Sequence, residues 1–243
     1  MKNKILLSVT LLVVMMAYLG CSTVKTSGEK GFIPIFDGKT LNGWEGDAKY
    51  WRVENGEMIG EITPATIIKV NTFLIYTKEQ PADFILKAEY RISSKGNSGI
   101  NYRSVRVDTL PYALKGYQFD LDGKDKYNLG YPKYSGQNYE ERGRQFLAPR
   151  GQRTIIETGK PPRLIDSLGT KAELLSHIKY DDWNEITIVV KGNNMKHYLN
   201  GTLMSEVTDN DLVNRKMSGL IGVQVHVGPP MKIEFRNMMI KKL

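Results

Sequence analysis

An all-β fold, a sandwich or jelly roll, is predicted for this chain of 243 residues, and three observations support it. Apolar and charged residues alternate from Phe84 to Ile92, which is the pattern of a half-buried strand. No segment longer than about ten residues keeps a helical period. Turn signals recur at ~8–12 residue spacing, as in sandwiches and barrels. The length suits one large domain.

The elements follow in chain order. We predict strands over residues 73–77, 84–92, 97–105, 116–121, 186–190, 195–199, 220–227 and 231–240. The turn at 191–194 joins the strands 186–190 and 195–199 as a hairpin, and Asn200-Gly201 is a second hairpin signal. Short helical turns are expected at 139–146 and 208–215. Residues 122–182 lack clear periodicity, and an insertion that long in a compact domain is usually functional.

The N-terminus resembles a bacterial lipoprotein signal. Lys2 and Lys4 precede an apolar stretch over residues 5–18, which is short for a spanning helix, and Gly20 precedes Cys21. The alternative is an uncleaved anchor helix with an incidental cysteine. The signal interpretation predicts that Cys21 is acylated and that the protein is exported and lipid-anchored at a bacterial membrane, in the periplasm or at the cell surface.

The domain boundaries follow from this interpretation. Residues 1–20 are the predicted signal peptide, residues 21–31 the lipidated cysteine and a flexible tether, and residues 32–243 a single β-sandwich domain. Because Cys21 is the only cysteine, no intramolecular disulfide can form.

The charge distribution and the absence of certain motifs limit the classes of partner and cofactor that the sequence predicts. The net charge of +8 is dispersed, without a basic helix, so no nucleic-acid partner is predicted. A nucleotide-binding glycine motif and a dense His/Cys cluster are both absent. Asp120, Asp122 and Asp125 around Gly123 loosely resemble a calcium loop but lack its final Glu. We therefore predict no cofactor, with a divalent ion left open. The sequence gives no oligomeric state.

Polar side chains share one face in three predicted strands. Residues 97–105, 116–121 and 220–227 each alternate apolar positions with hydrogen-bonding or ionisable ones. The polar positions are Asn97, Asn101, Arg103, Gln118, Asp120, Gln224 and His226. A sheet face with such groups suits a sugar, whose hydroxyls need paired donors and acceptors. The alternative is an ordinary solvent-facing surface, although that would favour Lys, Glu and Thr.

An ordered set of motifs then points to a family. The segments are 36–44 (FDGKTLNGW), 51–57 (WRVENGE), 97–103 (NSGINYR), 116–120 (GYQFD), 183–185 (WNE), 197–201 (HYLNG), 219–226 (GLIGVQVH) and 235–237 (FRN). Together they resemble the 3-keto-disaccharide hydrolase family, formerly a domain of unknown function, over residues 32–243. The resemblance implies a concanavalin A-like jelly roll of two antiparallel sheets. It also implies cleavage of glycosides whose sugar ring is oxidised at carbon 3, often by exported or lipid-anchored proteins.

The chemistry of a 3-keto sugar suggests roles for the polar residues. The carbonyl acidifies the proton on carbon 2, so cleavage needs a base, an acid for the leaving oxygen and donors for the oxyanion. We assign His226 as base, Asp120 as acid or as the residue that orients His226, and Arg103 to the oxyanion. Glu61 is a second acid/base candidate. Substrate hydroxyls are assigned to Gln118, Gln224, Asn97, Asn101 and Tyr117.

Each assignment has a structural alternative. Glu61 could be a surface carboxylate, Arg103 and Asp120 a cross-strand ion pair, and His226 a sheet-edge histidine. His197 precedes a hairpin turn and is expected to be exposed. At the level of the whole protein, the alternative to an enzyme is a non-catalytic carbohydrate-binding sandwich at the cell surface.

Overall fold

Two β-sheets packed face to face make up most of residues 30–243, which are the residues that the computed structural model describes. The proposed signal peptide, Cys21 and nearly all of the tether lie outside the described residues. Within them, no helix is both long enough and apolar enough to cross a membrane.

The larger sheet has ten strands. They are β1 (Ile33–Pro34), β3 (Trp51–Glu54), β4 (Glu57–Ile62), β6 (Phe84–Ile92), β11 (Gln152–Ile156), β12 (Arg163–Ser167), β13 (Asn184–Lys191), β14 (Asn194–Leu199), β15 (Thr202–Asp209) and β17 (Met231–Lys242). Their order is β12-β11-β15-β14-β13-β6-β17-β4-β3, and β1 pairs with β17. All neighbours are antiparallel except β11 and β15, which are parallel.

The smaller sheet has seven strands. They are β2 (Trp44–Glu45), β5 (Thr72–Tyr76), β7 (Asn97–Arg106), β8 (Leu114–Asp122), β9 (Asn138–Glu141), β10 (Gln145–Ala148) and β16 (Leu220–Val225). Their order is β10-β9-β8-β7-β16-β5-β2, and every pairing is antiparallel. One short helix, α1 (Lys171–Ser176), begins with a capping box between Thr170 and Glu173.

The core lies between the two sheets. In β6 the side chains of Phe84, Leu86, Ala88, Tyr90 and Ile92 are buried, whereas the residues between them are half-buried. Ile100, Phe119 and Val223 face them from the smaller sheet. Burying a large apolar side chain contributes about 1.5–3 kcal/mol, so the alternating pattern is what holds the sheets together. The predicted all-β sandwich is confirmed.

One of the two predicted helical turns is wrong, and the other is shorter than predicted. Residues 139–146 form the end of β9, a turn and the start of β10. Arg142 (φ 55°) and Gln145 (φ 66°) have left-handed backbone conformations, which a right-handed helix cannot contain. At 208–215 the prediction holds in part. Residues 208–209 end β15, and a single turn follows in which Arg215 N donates to Asp211 O, the i to i−4 bond of an α-helix.

Candidate active site

The outer face of the smaller sheet carries the polar side chains. Cross-strand partners point to the same side of a sheet, and the pairs Asn101–Gln118 and Gly99–Asp120 place β7 and β8 in register there. Gly222 of β16 pairs with Asn101, so Gln224 belongs to this face too. The inner face holds the apolar core, which means that this outer face is turned away from the larger sheet.

An open cleft of 340 Å³ lies on this face, and we call it the polar cleft. Its lining combines strand residues with residues from the flanking loops: Asn71, Asn97, Gln118, Asp120, Tyr127, Tyr134, Gln137, Tyr139, Glu141, Arg142, Phe146 and His226. The size falls within the range of small-molecule sites. The predicted residues Asn97, Gln118, Asp120 and His226 therefore meet at one cleft.

Asp120 is held by two amides. Gln118 Nε2 donates to its Oδ1 at 2.5 Å, and Gln137 Nε2 donates to its Oδ2. Burial raises the pKa of Asp120 to about 7, against the two amide hydrogen bonds, which lower it. Asp120 is thus a carboxyl group that exchanges its proton near neutral pH, as a general acid or base must.

Glycine at position 99 makes room for Gln118. A Cβ on Gly99 would lie 2.6 Å from the Gln118 side-chain amide, so the amide occupies the space above the glycine. Gln224, which is fully buried, donates from Nε2 to Gln118 Oε1 at 3.3 Å. Gln224 therefore orients Gln118 instead of lining the cleft itself.

His226 follows β16 at the rim of the polar cleft. Its Nδ1 donates to the backbone oxygen of Val227 at 2.6 Å, because a carbonyl only accepts. The pKa of His226 is lowered by burial, and the charges of Lys126 and Arg142 lower it further. At neutral pH the ring is uncharged, and Nε2 keeps its lone pair as an acceptor.

A second carboxyl group, that of Glu141, also lines the polar cleft. Glu141 accepts from Asn71 Nδ2 at 3.2 Å and is 3.5 Å from the Arg142 guanidinium. Burial raises the pKa of Glu141 above its ordinary value, against the contacts with Asn71 and Arg142. Arg142 Nε is buried and has no hydrogen-bond partner among the described residues. It is a donor that a ligand oxygen could satisfy.

His197 supports the cleft from below, and the expectation that it is exposed is wrong. It is fully buried between the sheets, where Nε2 lies 2.8 Å from the Tyr102 hydroxyl and Nδ1 lies 3.1 Å from Gln137 O. Burial lowers its pKa to about 3, so it stays neutral. It shares the parity of the buried residues Met195 and Leu199, a pattern that should have predicted its burial.

Arg103 lies apart from the polar cleft. The register of β7 shifts between Tyr102 and Val105, and Arg103 has a φ of 45°, so the period-two pattern breaks at this residue. Its guanidinium is buried and donates to the backbone oxygens of Ala82 (2.7 Å), Gly192 (2.7 Å) and Lys216 (3.2 Å). Arg103 therefore stabilises the packing of three loops, those that contain Ala82, Gly192 and Lys216.

Three further predicted residues also lie outside the polar cleft. Tyr117 points to the inner face, where its hydroxyl donates to Asp209 at 2.7 Å. Glu61 lies on β4 in the larger sheet and pairs with Arg52 at 2.7 Å, on the opposite side of the sandwich. Asn101 is on the polar face but fully buried, and it donates to Ser104 at 3.5 Å.

The loops contribute residues that the sequence did not single out. Gln137, Glu141 and Arg142 belong to the segment predicted to be loop-rich, and Asn71 directly precedes β5. The only sequence signal for Glu141 is its two-residue spacing from Tyr139, which is too short to define a strand.

The aspartates of the loosely calcium-like motif have protein partners. Asp122 accepts from the backbone N–H groups of Lys133, Tyr134 and Ser135, and Asp125 accepts from the Ser94 hydroxyl. Within residues 30–243, no group of three or more His, Cys, Asp or Glu side chains is arranged to hold a metal ion.

Comparison with known proteins identifies the family. A family model described as the 3-keto-alpha-glucoside-1,2-lyase-like domain matches residues 31–241. The chain belongs to this family. A curated relative, the 3-keto-disaccharide hydrolase of Bacteroides thetaiotaomicron, is 34% identical over 106 residues, which cover 39% of this chain and 32% of the relative. The chain thus matches about a third of the length of that relative.

Solved structures support the fold. A candidate glycosyl hydrolase from Parabacteroides distasonis has a TM-score of 0.57 at 18% identity, covering 87% of this chain and 99% of that one. A carbohydrate-binding module from Bacillus subtilis has a TM-score of 0.52 at 16% identity, covering 82% and 96%. At these identities the likeness shows the fold alone.

Proposed function

We propose that the protein cleaves 3-keto-glycosides, with the ketone-bearing ring bound in the polar cleft. The family membership supports the substrate class. The observation that carries the proposal is that a carboxyl group with a pKa of about 7, Asp120, and a neutral imidazole, His226, line one cleft among amide side chains. This pair supplies an acid and a base at the same pH.

The proposed reaction begins at carbon 2. His226 Nε2 removes the proton that the carbon-3 carbonyl acidifies, and the electron pair moves into the carbonyl to form an enediolate. Collapse of the enediolate restores the ketone, forms a double bond between carbons 1 and 2 and breaks the bond from carbon 1 to the leaving oxygen. Asp120 protonates that oxygen. Addition of water across the double bond completes net hydrolysis.

The remaining residues of the polar cleft bind the substrate hydroxyls and stabilise the enediolate. Arg142 takes the role that the sequence assigned to Arg103, because it lines the cleft and its Nε is unpartnered among the described residues. It would stabilise the oxygen of the enediolate. Gln118 and Asn97 line the same cleft and can bind hydroxyl groups, while Gln224 holds Gln118 in place.

Mass spectrometry in deuterated water tests the proposal. Residues 30–243 are incubated with a 3-keto disaccharide and with its unoxidised parent, beside His226→Ala and a control, His177→Ala, which removes an exposed histidine. We expect cleavage of the keto sugar alone, deuterium at carbon 2, and loss of both in His226→Ala only. Cleavage without deuterium would indicate direct hydrolysis and remove His226 as a carbon base.

Binding without cleavage is the second candidate function. The observation that favours a binding function is that the chain shares its fold with a carbohydrate-binding module. That similarity by itself shows the fold alone. If neither sugar is cleaved and one of them binds, the protein is a binding sandwich. The same assay therefore separates the two functions.

We also propose that the protein is exported and anchored by lipid at Cys21, on the N-terminal pattern alone. Incorporation of a labelled fatty acid in cells, lost in Cys21→Ser, would support this. Equal labelling of the two proteins would contradict it.

A further inference from the structure

A second cleft adjoins the polar cleft. It has a volume of 530 Å³ and shares Tyr134, Gln137 and Phe146 with its neighbour, so one ligand can extend from one cleft into the other. All of its lining residues lie between Tyr131 and Lys171. It is therefore built entirely by the segment that the sequence marks as a functional insertion.

The charged residues that line this cleft are all positive. Lys133, Arg150 and Lys171 line it, and its lining contains no Asp or Glu. We call it the basic cleft. Among the described residues, none of these three side chains forms an ion pair with a carboxylate. Arg144, by contrast, pairs with Glu140, Asp209 and Asp211.

The cations are held by neutral groups. Arg150 donates to the backbone oxygens of Ser135 at 2.8 Å and Pro132 at 3.1 Å. Burial lowers the pKa of Arg150, and the charge of Asp122 opposes this. Lys171 donates to the Tyr131 hydroxyl at 2.5 Å. Arg150 and Lys171 thus have neutral partners, and their positive charges remain available to an anion.

Aromatic surface accompanies the charge. Lys133 lies 4.7 Å above the ring of Tyr134, and Tyr134 packs against Phe146 at 5.7 Å between ring centres. Phe146 is 45% exposed, although it is a large apolar side chain. An exposed aromatic ring beside unpaired cations fits a ring that bears a negative charge.

We propose that the basic cleft binds the leaving group and selects one that carries a carboxylate or a sulfate on its ring. The inference rests on the proposed function, which places the 3-keto ring in the polar cleft. The glycosidic oxygen then faces the wall formed by Tyr134, Gln137 and Phe146, and the leaving group extends across it. A uronic acid and a sulfated sugar share the required chemistry.

Three matched substrates test the proposal. Each carries the same 3-keto-glucosyl unit, joined to glucose, to glucuronic acid or to glucose 6-sulfate. We expect kcat/KM to be about tenfold higher for at least one anionic substrate than for the neutral one, since one charged contact is worth about that factor. The arm with the higher value identifies the anion.

Arg150→Gln and Lys171→Gln should lower the ratio of kcat/KM for the anionic substrate over the neutral one from about ten to about one. Lys171 is exposed, so its variant tests the proposal even if loss of the Arg150 contacts unfolds the protein. The control is Lys39→Gln. Lys39 is also exposed, and it lies far from the basic cleft. Its neighbour Gly38 lies beside Gly56, in the turn between β3 and β4. These two strands form one edge of the larger sheet, whereas β11 and β12 form the other.

Equal rates for the neutral and anionic substrates, or equal losses on both in the variants, would overturn the proposal. Failure to cleave any 3-keto substrate would instead refute the proposed function. In that event, calorimetric titration of the unoxidised disaccharides decides about the basic cleft alone. Tighter binding of the anionic disaccharide, lost in Lys171→Gln, would sustain it, and equal binding would refute it.

Discussion

The imidazole of His197 donates from Nδ1 to the backbone oxygen of Gln137, at 3.1 Å. The side chain of the same glutamine donates to Asp120, so a histidine buried between the sheets fixes a residue that holds the candidate acid. Nε2 of His197 accepts from the Tyr102 hydroxyl at 2.8 Å. The ring therefore joins the core of the sandwich to the floor of the polar cleft.

Replacing His197 with Ala should destabilise the protein by about 3 kcal/mol. The change opens a cavity and leaves the buried Tyr102 hydroxyl and Gln137 oxygen with one partner fewer. Urea unfolding measures the loss, with His177→Ala expected within about 0.5 kcal/mol of the wild type. A change below 1 kcal/mol in His197→Ala would show that the buried hydrogen bonds matter little.

The pH profile of kcat/KM should be bell-shaped. Activity requires neutral His226, whose pKa is lowered by burial, so activity rises with pH through that pKa. It also requires protonated Asp120, whose pKa is raised to about 7 by burial, so activity falls above about pH 7. Rates measured from pH 4 to 9 on a 3-keto disaccharide check both limbs.

Asp120→Asn should lower kcat/KM for a sugar leaving group by about 10²–10³-fold and abolish the fall above pH 7. A 3-keto-glucoside of 4-nitrophenol should restore most of the rate, because that leaving group departs without a proton. An equal loss on both substrates would mean that Asp120 does not act as the acid.

Gly99→Ala should disturb the site through Gln118. The new methyl group would lie 2.6 Å from the Gln118 amide, which must move and release Asp120. We expect about a tenfold loss of kcat/KM with less than about 1.5 kcal/mol of destabilisation, because the displaced group is a flexible side chain. Adding the substitution to Gln118→Ala should then cost little further activity. Additive losses in that double variant would show another route.

Arg103 and Arg142 should separate stability from activity. Arg103→Ala removes hydrogen bonds to three backbone oxygens and should destabilise the fold by about 3 kcal/mol, while the folded protein keeps kcat/KM within about threefold at low temperature. Arg142→Gln should lower kcat/KM by at least tenfold with little change in stability. If Arg103→Ala instead lost activity with little change in stability, and Arg142→Gln lost stability but kept its activity, Arg103 would be the residue that stabilises the oxyanion.

The alternation of polar and apolar residues predicted most strands of the smaller sheet and four of the twelve residues that line the polar cleft. A strand with one buried face must repeat every two residues, so the faces of Gln118, Asp120 and Gln224 could be assigned from the sequence alone. The two-residue period no longer indicates the direction of a side chain where the strand is interrupted. The shifted register at Arg103 turned its side chain away from the polar cleft, and nothing in the local sequence marks that shift.

The missing residues come from irregular or short segments. β9 has four residues, too few to display a two-residue period, so the sequence does not predict which way the Glu141 side chain points. Asn71 and Arg142 reach the polar cleft from beyond strand ends, where direction depends on long-range packing. His197 lies near a hairpin turn, which favours exposure, but it shares the parity of Met195 and Leu199 and therefore lies on the buried face of β14.

The residues that line the two clefts are distributed differently along the chain. Residues of the polar cleft come from segments as far apart as Asn71 and His226, so altering that surface requires coordinated change across the fold. The basic cleft is encoded between Tyr131 and Lys171. Exchange of that one stretch by recombination would replace the basic cleft and leave Asn97, Gln118, Asp120 and His226 in place. It would also change the polar-cleft residues that lie within the stretch, which are Tyr134, Gln137, Tyr139, Glu141, Arg142 and Phe146. One exchange would therefore alter the surroundings of the candidate acid and base together with the basic cleft, while Asp120 and His226 themselves stay constant.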